Sequence, residues 1–218
     1  MAYIITFASK KGGSGKSTAA MALAGSLALR GHRVLVVDTD EQGSCLMYAR
    51  AADDERPFPA TVVSLAGSGL KLHRELKQHF DNYDFIVVDT PAGTAFEATQ
   101  AALLASDLCL VPCQPSPADL WAVAGVRQLV EQARVINETL RAAVLPSRVS
   151  KTGLAGDVLK ALGEAGFPVL EAKLGNRTAY PEAMLAGRPV QWQGSSARAA
   201  VIEVEQLTDE VLSLLETQ

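Results

Sequence analysis

The sequence predicts an α/β fold with a doubly wound, mostly parallel sheet flanked by helices. Apolar strand-like runs alternate with helical patterns along the whole chain, and a parallel sheet covered by helices on both faces has this pattern. We predict strands over 3–8, 33–38, 85–89, 108–112 and 142–147, with shorter ones near 61–64 and 169–172. We predict helices over 16–30, 70–79, 95–105, 120–137, 156–164 and 197–216.

The length of 218 residues suits one compact domain, so we interpret residues 1–218 as a single unit. The hydrophobic fraction of 48% and the charged fraction of 20% exclude a disordered chain. Three cysteines without metal-ligand spacing favour a reduced, cytoplasmic protein. No apolar run approaches the roughly 18 residues of a membrane span, and we expect no signal peptide.

Charge is distributed unevenly along the chain. Residues 141–198 carry eight basic and four acidic side chains, whereas residues 199–218 carry five acidic and no basic ones. The basic segment is either a surface for a polyanion or a set of scattered, solvated charges, and the sequence leaves both interpretations open.

A glycine-rich loop follows the first predicted strand and precedes an alanine-rich helix. Its glycines permit positive backbone dihedrals that turn N–H groups inward, and the helix N-terminus adds partial positive charge. We expect Lys16 to reach the β and γ phosphates of a nucleotide and Ser17 to offer its hydroxyl to Mg²⁺. The predicted nucleotide-binding residues are Lys11, Gly12, Gly13, Ser14, Gly15, Lys16, Ser17 and Thr18.

The loop departs from the pattern G-x-x-x-x-G-K-[ST], because Lys10 occupies the place of the first glycine and Lys11 lies inside the loop. Residues 11–17 read K-G-G-S-G-K-S and resemble the deviant Walker-A ATPases, the family of ParA partition proteins, MinD division-site proteins and nitrogenase iron protein. The resemblance implies a P-loop NTPase fold, ATP as the cofactor and an ATP-dependent homodimer. It also implies that Lys11 reaches the nucleotide of the partner subunit.

Two carboxylates end the second strand. Asp38 and Asp40 stand two residues apart and therefore project to one side of an extended chain, at the edge where ligands bind in doubly wound sheets. Without the glycine loop they would indicate only a capped loop start. The segment resembles the D-x-D-P-Q motif of the family, with Glu41 in place of proline. By this resemblance Asp40 orients the attacking water and Asp38 belongs to the Mg²⁺ shell.

A third carboxylate, Asp89, ends the apolar run over 85–89. An acid at this place suits the Walker-B role of binding water on Mg²⁺, although an isolated strand-terminal aspartate is often only a helix cap. The assignment therefore depends on the glycine loop. Related proteins often carry a second proline after D-x-P, where this chain has Ala92 and Gly93.

Residues 112–119 resemble the P-x-x-P-S-P-x-D stretch of small ParA proteins. Three prolines stiffen this loop, whose simplest role is to start the following helix with Asp119 as a cap. Many relatives read the base with an asparagine at the end of a late strand, but residues 146–148 of this chain are Pro-Ser-Arg. Adenine is therefore implied by the resemblance alone.

The leading hypothesis is a short ParA-type ATPase. ATP closes the dimer, the dimer binds DNA non-specifically, and a ParB-like or other adaptor protein stimulates slow hydrolysis. Such a protein is cytoplasmic and nucleoid-associated, and its cargo is a plasmid, a chromosome locus or a protein assembly. The residues predicted to contact DNA phosphates are Lys173, Arg177, Arg188 and Arg198.

Three other hypotheses are weaker. A MinD-like membrane ATPase is opposed by the last helix, whose apolar residues Val204, Leu207, Val211 and Leu215 face away from an acidic side without lysine or arginine. We therefore expect no membrane partner. An iron–sulfur redox enzyme requires a cysteine shortly after Asp89, and residues 90–99 contain none. No motif marks the substrate site of an ATP-dependent ligase or synthetase.

Overall fold

A six-stranded parallel sheet forms the centre of the molecule, which is a computed structural model that describes residues 2–93, 96–150, 153–164 and 166–217. The strands are β1 (Tyr3–Phe7), β2 (Val34–Asp38), β3 (Thr61–Ser64), β4 (Phe85–Asp89), β5 (Leu108–Cys113) and β6 (Arg141–Pro146). Their order is β3-β2-β4-β1-β5-β6, and every listed neighbour runs parallel. The predicted fold class is confirmed.

Eight helices accompany these strands in the described residues. They are α1 (Lys16–Leu29), α2 (Ser44–Arg50), α3 (Leu72–Lys77), α4 (Phe96–Leu103), α5 (Pro117–Arg134), α6 (Gly153–Glu164), α7 (Ala179–Leu185) and α8 (Arg198–Glu216). The predicted start of α4 at Ala95 lies outside the described residues. Helix α5 begins three residues earlier than predicted, because Pro117 suits the first turn of a helix.

Two expectations about the elements were incomplete or wrong. Helices α2 and α7 were not predicted, since each has only seven residues and too few turns to show helical periodicity. The strand predicted over 169–172 is absent from the described sheet. That segment instead makes an isolated parallel bridge, Val144 with Val169, and hydrogen-bonds Leu170 N to Val144 O at 2.9 Å.

Successive strand residues face opposite sides of the sheet and enter separate cores. Ile5, Val36 and Val87 pack with α1, α2, α7 and α8 on one face. Ile4 and Ile86 face the other side, where α3 and α4 lie, and α5 and α6 cover the rest of that face. Both faces of the sheet are therefore covered, which explains why the strands are apolar throughout.

Helix α8 packs beside α1 and closes one face of the core. Its predicted apolar residues Val204, Leu207, Val211 and Leu215 are all buried. Arg30, after α1, binds Glu205 Oε2 and Asp209 Oδ1 of α8, each at 2.6 Å. The apolar side of α8 is therefore committed to the core. No helix among the described residues is long and apolar enough to span a membrane.

The sheet register brings the predicted carboxylates to one edge. Asp89 of β4 is level with Phe7 of β1 on one side and with Asp38 of β2 on the other. The chain leaves β1 at Phe7 and enters α1 at Lys16, so the glycine loop lies at this carboxyl edge beside both aspartates. Doubly wound sheets bind ligands at this kind of edge.

Candidate nucleotide-binding site

The glycine loop turns sharply between β1 and α1. Gly13 and Gly15 have φ values of 72° and 95°, in the left-handed region that favours glycine. Gly15 is the N-cap of α1, and no side chain among the described residues caps this helix. The first N–H groups of α1 therefore face the loop without a side-chain acceptor, which is the arrangement that binds anions at helix N-termini.

Polar groups in and beside the loop are buried without being fully hydrogen-bonded. Ser14 is 1% exposed, and within the described part of the chain its Oγ has no hydrogen-bond partner. The same holds for Oδ1 of the buried Asp89. Lys16 is also buried, whereas Ser17 and Thr18 are half-buried. Unpartnered buried polar atoms are costly, so the residues present fit a polar ligand such as a magnesium-bound phosphate.

Asp89 is the most strongly perturbed carboxylate in this cluster. Burial raises its pKa to about 6, although the Ser17 hydroxyl, the Lys16 ammonium and a hydrogen bond from Cys45 favour the charged form. Cys45 Sγ donates that bond to Asp89 Oδ2 over 3.3 Å. The other carboxylate oxygen therefore remains available to a metal ion or its water.

Asp38 has a different environment from the one expected for a magnesium ligand. Its Oδ1 accepts the Asp40 N–H at 3.1 Å, and its Oδ2 accepts the N–H groups of Cys45 and Leu46 at 2.8 and 3.2 Å. Burial raises the pKa of Asp38, and these backbone hydrogen bonds oppose that rise. Asp38 thus holds the start of α2, and its place in the Mg²⁺ shell stays a prediction.

Asp40 lies two residues beyond β2, at the carboxyl edge of the sheet. It is half-buried, and its Oδ1 accepts the Gln42 N–H at 3.0 Å. Asp40 lines an open cleft of about 620 Å³ together with Pro91, Ala92 and Glu97. The carboxylate is therefore accessible to water in this cleft, which none of residues 11–18 lines.

Lys11 is engaged with the proline-containing loop before α5. Its Nζ lies 2.8 Å from Asp119 Oδ2, and its side chain remains 40% exposed while that of Asp119 is 2% exposed. The Ser116 hydroxyl hydrogen-bonds to the same carboxylate oxygen. Asp119 lies within the first turn of α5 and is not the N-cap, which is Ser116. Its structural role is therefore to hold Lys11.

A cavity of about 200 Å³ adjoins the glycine loop and was not found from the sequence. Arg148 adopts a φ of 49°, the one positive value among the described non-glycine residues, and this turn places Asn176 at the cavity through a hydrogen bond from Asn176 N to Val149 O. The lining residues are Gly15, Thr18, Ser147, Arg148, Leu174, Gly175, Asn176, Arg177, Tyr180, Pro181 and Met184. Asn176 thus places an asparagine at this cavity, although it follows an irregular segment and not a late strand as in many relatives.

The four residues predicted to contact DNA occupy different environments. Lys173, Arg177 and Arg198 are exposed, whereas Arg188 is half-buried. Arg177 also lines the cavity and binds Glu203 Oε1 at 2.6 Å, and its contact with DNA stays a prediction. Glu203 also accepts hydrogen bonds from Gly175 N and the Tyr180 hydroxyl, so the charge of Arg177 is neutralised within the fold.

The sequence was compared with protein-family models and with known proteins. Residues 5–190 match the model of the CobQ/CobB/MinD/ParA nucleotide binding domain. The chain belongs to this family. Within it, the chain is 32% identical over 212 residues to Maintenance of carboxysome distribution protein A of Halothiobacillus neapolitanus, with 97% of each chain covered. It is 30% identical over 186 residues to Protein ParA of Rhizobium radiobacter, covering 81% of this chain and 80% of that protein.

A solved structure supports the fold of this family member. Apo McdA of Cyanthece superposes with a TM-score of 0.79 over 99% of this chain and 100% of that one. The sequence identity of the pair is 18%, so the likeness establishes the fold and leaves the activity to be argued from the site.

The buried charge of Asp89 generates a pH-dependent prediction for the metal-free protein. Asp89→Asn is expected to increase the free energy of unfolding at pH 8 by about 1–3 kcal/mol, because the native pKa of about 6 lies above the unfolded value. The native carboxyl binds its proton more tightly, so wild-type stability falls as the pH rises from about 4 to 6. Urea unfolding at pH 4 and pH 8 measures the free energy of unfolding of Asp89→Asn and of wild type. The difference between the two proteins should be smaller at pH 4 than at pH 8.

Asp84→Asn is the matched control with the opposite sign. A hydrogen bond from Arg33 lowers the pKa of Asp84 to about 2, so this carboxylate stabilises the native state above pH 4 and loses that effect as the pH falls towards 2. The control is therefore destabilised at pH 8. An Asp89→Asn protein that is no more stable than wild type at pH 8 contradicts the burial of a costly charge.

Proposed function

We propose that the chain is an ATPase that forms an ATP-dependent dimer, binds DNA non-specifically and positions a cargo with adaptor-stimulated hydrolysis. One observation carries the nucleotide part of this proposal. Lys16 is buried at the first position of α1, Ser14 stands two residues before it, and Asp89 interacts electrostatically with Lys16, while Ser14 Oγ and Asp89 Oδ1 have no hydrogen-bond partner among the described residues. The N–H groups at the start of α1 and the Lys16 ammonium suit a polyphosphate, and the Asp89 carboxylate suits a divalent metal bound to it.

Each part of the site receives a role in this proposal. Residues 11–18 hold the phosphates through backbone N–H groups and Lys16, while Ser17 and Asp89 hold Mg²⁺, with Asp38 in the surrounding shell. Bound Mg²⁺ supplies positive charge that offsets the charge developing on the phosphate oxygens. The cavity beside Gly15 and Thr18 suits the nucleoside, because it opens directly from the loop that holds the phosphates.

In the proposed dimer, Lys11 leaves Asp119 of its own chain and binds the nucleotide of the second copy. In the single chain Asp119 neutralises Lys11, whose side chain is 40% exposed, while the buried Asp119 carboxylate also accepts the Ser116 hydroxyl. The triphosphate of a second copy carries more negative charge than one carboxylate. Nucleotide on the partner therefore attracts Lys11 away from Asp119 and stabilises the dimer, because this added contact forms only in that state.

Lys11→Ala is expected to abolish ATP-dependent dimerisation and to leave the nucleotide affinity of the monomer within about threefold, since Lys16 and the backbone cradle remain. Light scattering measures the dimer fraction, and a fluorescent ATP analogue measures affinity. Lys77→Ala, which removes an exposed lysine on α3, is the control and should dimerise like wild type. Equal dimer fractions for Lys11→Ala and wild type would refute the cross-subunit role.

Asp40→Ala is expected to slow phosphate release by about a hundredfold or more and to trap the ATP-bound dimer, because the attacking water loses the carboxylate that orients it. Phosphate release and light scattering are measured on the same sample. Glu41→Ala removes the adjacent, exposed carboxylate and should hydrolyse ATP normally. Unchanged phosphate release in Asp40→Ala removes Asp40 from this role.

Exposed cations support the DNA part of the proposal. Lys173, Arg177 and Arg198 are exposed and Arg188 is half-buried, and Arg177 is also paired with Glu203. We assign phosphate contacts to these four residues, and such contacts weaken steeply with salt. Binding to DNA places the protein on the nucleoid in the cytoplasm.

The names of the relatives support cargo positioning. One relative is a carboxysome distribution protein and another is a ParA protein, so a protein assembly and a DNA locus are both suitable cargoes. A ParB-like or other adaptor protein then links the ATPase to the cargo. The alternative of a MinD-like membrane ATPase has less support, because the apolar side of α8 is buried in the core.

A further inference from the structure

One carboxylate of α8 holds three residues that line the cavity beside the glycine loop. The side chain of Glu203 is 14% exposed. Its Oε2 accepts the Gly175 N–H at 3.0 Å and the Tyr180 hydroxyl at 2.9 Å. Its Oε1 accepts hydrogen bonds from Nε and Nη2 of Arg177, at 2.8 and 2.6 Å. All three donors belong to residues of the cavity wall, so Glu203 supports that wall.

The part of the wall around Gly175 has little regular structure to hold it. Residues 173–178 belong to none of the described helices or sheet strands. Gly175 makes an isolated parallel bridge with Val149, which follows β6, and donates its own N–H to Glu203. The segment is therefore fixed from two sides, by the chain after β6 and by α8. Glu203 also binds α7 through Tyr180, so it sets the segment and α7 relative to each other.

Glu203 approaches the segment so closely that position 175 requires a glycine. A Cβ there would lie 2.9 Å from Glu203 Oε1 and 3.2 Å from Arg177 Nε. Both distances are shorter than the roughly 3.5–4.0 Å at which carbon packs best. The φ of Gly175 lies outside the left-handed region, so the lack of space and not the backbone conformation favours glycine. The contact between Glu203 and the cavity wall is thus built into both elements.

We infer that Glu203 is a positioning residue for the nucleoside part of ATP. The inference rests on the proposed function, in which the nucleoside occupies the cavity beside Gly15 and Thr18. Glu203 acts there through Gly175 and Tyr180, which it holds in the cavity wall. None of its described hydrogen-bond partners belongs to residues 11–18, which hold the phosphates. Its effect should therefore fall on the nucleoside and leave the binding of phosphates unchanged.

A carboxylate suits this role because every group around it is a donor. Both oxygens of an ionised carboxylate accept, and hydrogen bonds to a charged acceptor are stronger than neutral ones. Glutamine has the same shape, but its amide nitrogen donates and does not accept. Glu203→Gln therefore keeps the contacts of one oxygen only. It loses either the pair with Arg177 or the bonds from Gly175 and Tyr180.

The test measures the affinity of Glu203→Gln for magnesium-bound ATP and for inorganic tripolyphosphate by calorimetric titration. We expect the dissociation constant of ATP to rise at least about fivefold, because buried donors of the cavity wall lose their acceptor and the wall shifts. The dissociation constant of tripolyphosphate should stay within about twofold of wild type, since the glycine loop and Lys16 are unchanged. A residue with a merely structural role would not separate the two ligands.

Glu205→Gln is the matched control on the same helix. Glu205 also binds an arginine, Arg30, at 2.6 Å, and accepts hydrogen bonds from the Ser26 hydroxyl and from Gln191. None of these partners lines the cavity in the described part of the chain. Urea unfolding should show that both variants remain folded and lose stability. Only Glu203→Gln should lose affinity for ATP.

The outcomes separate this inference from the proposed function. Equal ATP affinities for Glu203→Gln and wild type overturn the inference, and so does an equal loss of affinity for ATP and for tripolyphosphate. If wild type binds tripolyphosphate as tightly as ATP, the nucleoside contributes nothing, and its proposed place in the cavity fails together with the inference. If wild type binds neither ligand, the proposed ATPase itself fails.

Discussion

The burial of charge at the carboxyl edge of the sheet is the constraint on which the rest of the structure depends. Asp89 sits between β1 and β2 with its carboxylate buried, and the buried Lys16 is a cation with which it interacts electrostatically. One carboxylate oxygen accepts a weak bond from Cys45, and the other has no partner among the described residues. Such an arrangement is unfavourable by itself and becomes favourable when a metal and phosphate complete it.

The scaffold around this edge offsets the cost by burying apolar surface elsewhere. Helix α1 presents small side chains to the sheet, and α8 closes the outside of α1 with a fully buried apolar side. Arg30 then fixes the two helices to each other through Glu205 and Asp209. The two ends of the glycine loop are therefore held by β1 and α1, and Lys11 N donates to Ser9 Oγ at 3.2 Å within the loop.

The sequence predicted the parts of the site that local chemistry determines. The glycine loop and the strand ending at Asp89 could be located because spacing and residue type alone define them. The cavity could not be located, because it depends on a positive φ at Arg148 and on the packing of Asn176 and Tyr180, which are distant from the loop in sequence. Long-range placement of this kind leaves no periodic signal.

Other features that long-range contacts determine follow the same rule. The run over 169–172 is apolar like a strand, but it makes only an isolated bridge beside β6. Arg177 belongs to a basic segment, yet Glu203 of α8 neutralises its charge. The two residues are 26 positions apart, so no local sequence pattern predicts the pair. The pairing of Lys11 with Asp119 is likewise set by the fold, across 108 residues.

Calorimetric titration of the wild-type chain and of Asp89→Asn with ATP, with and without Mg²⁺, tests the central claim most directly. The account predicts that wild type binds ATP with measurable heat and at least about tenfold more tightly when Mg²⁺ is present. In Asp89→Asn the affinity for metal-free ATP should persist and the gain from Mg²⁺ should be lost. Absence of any heat of association between wild type and magnesium-bound ATP would contradict the account.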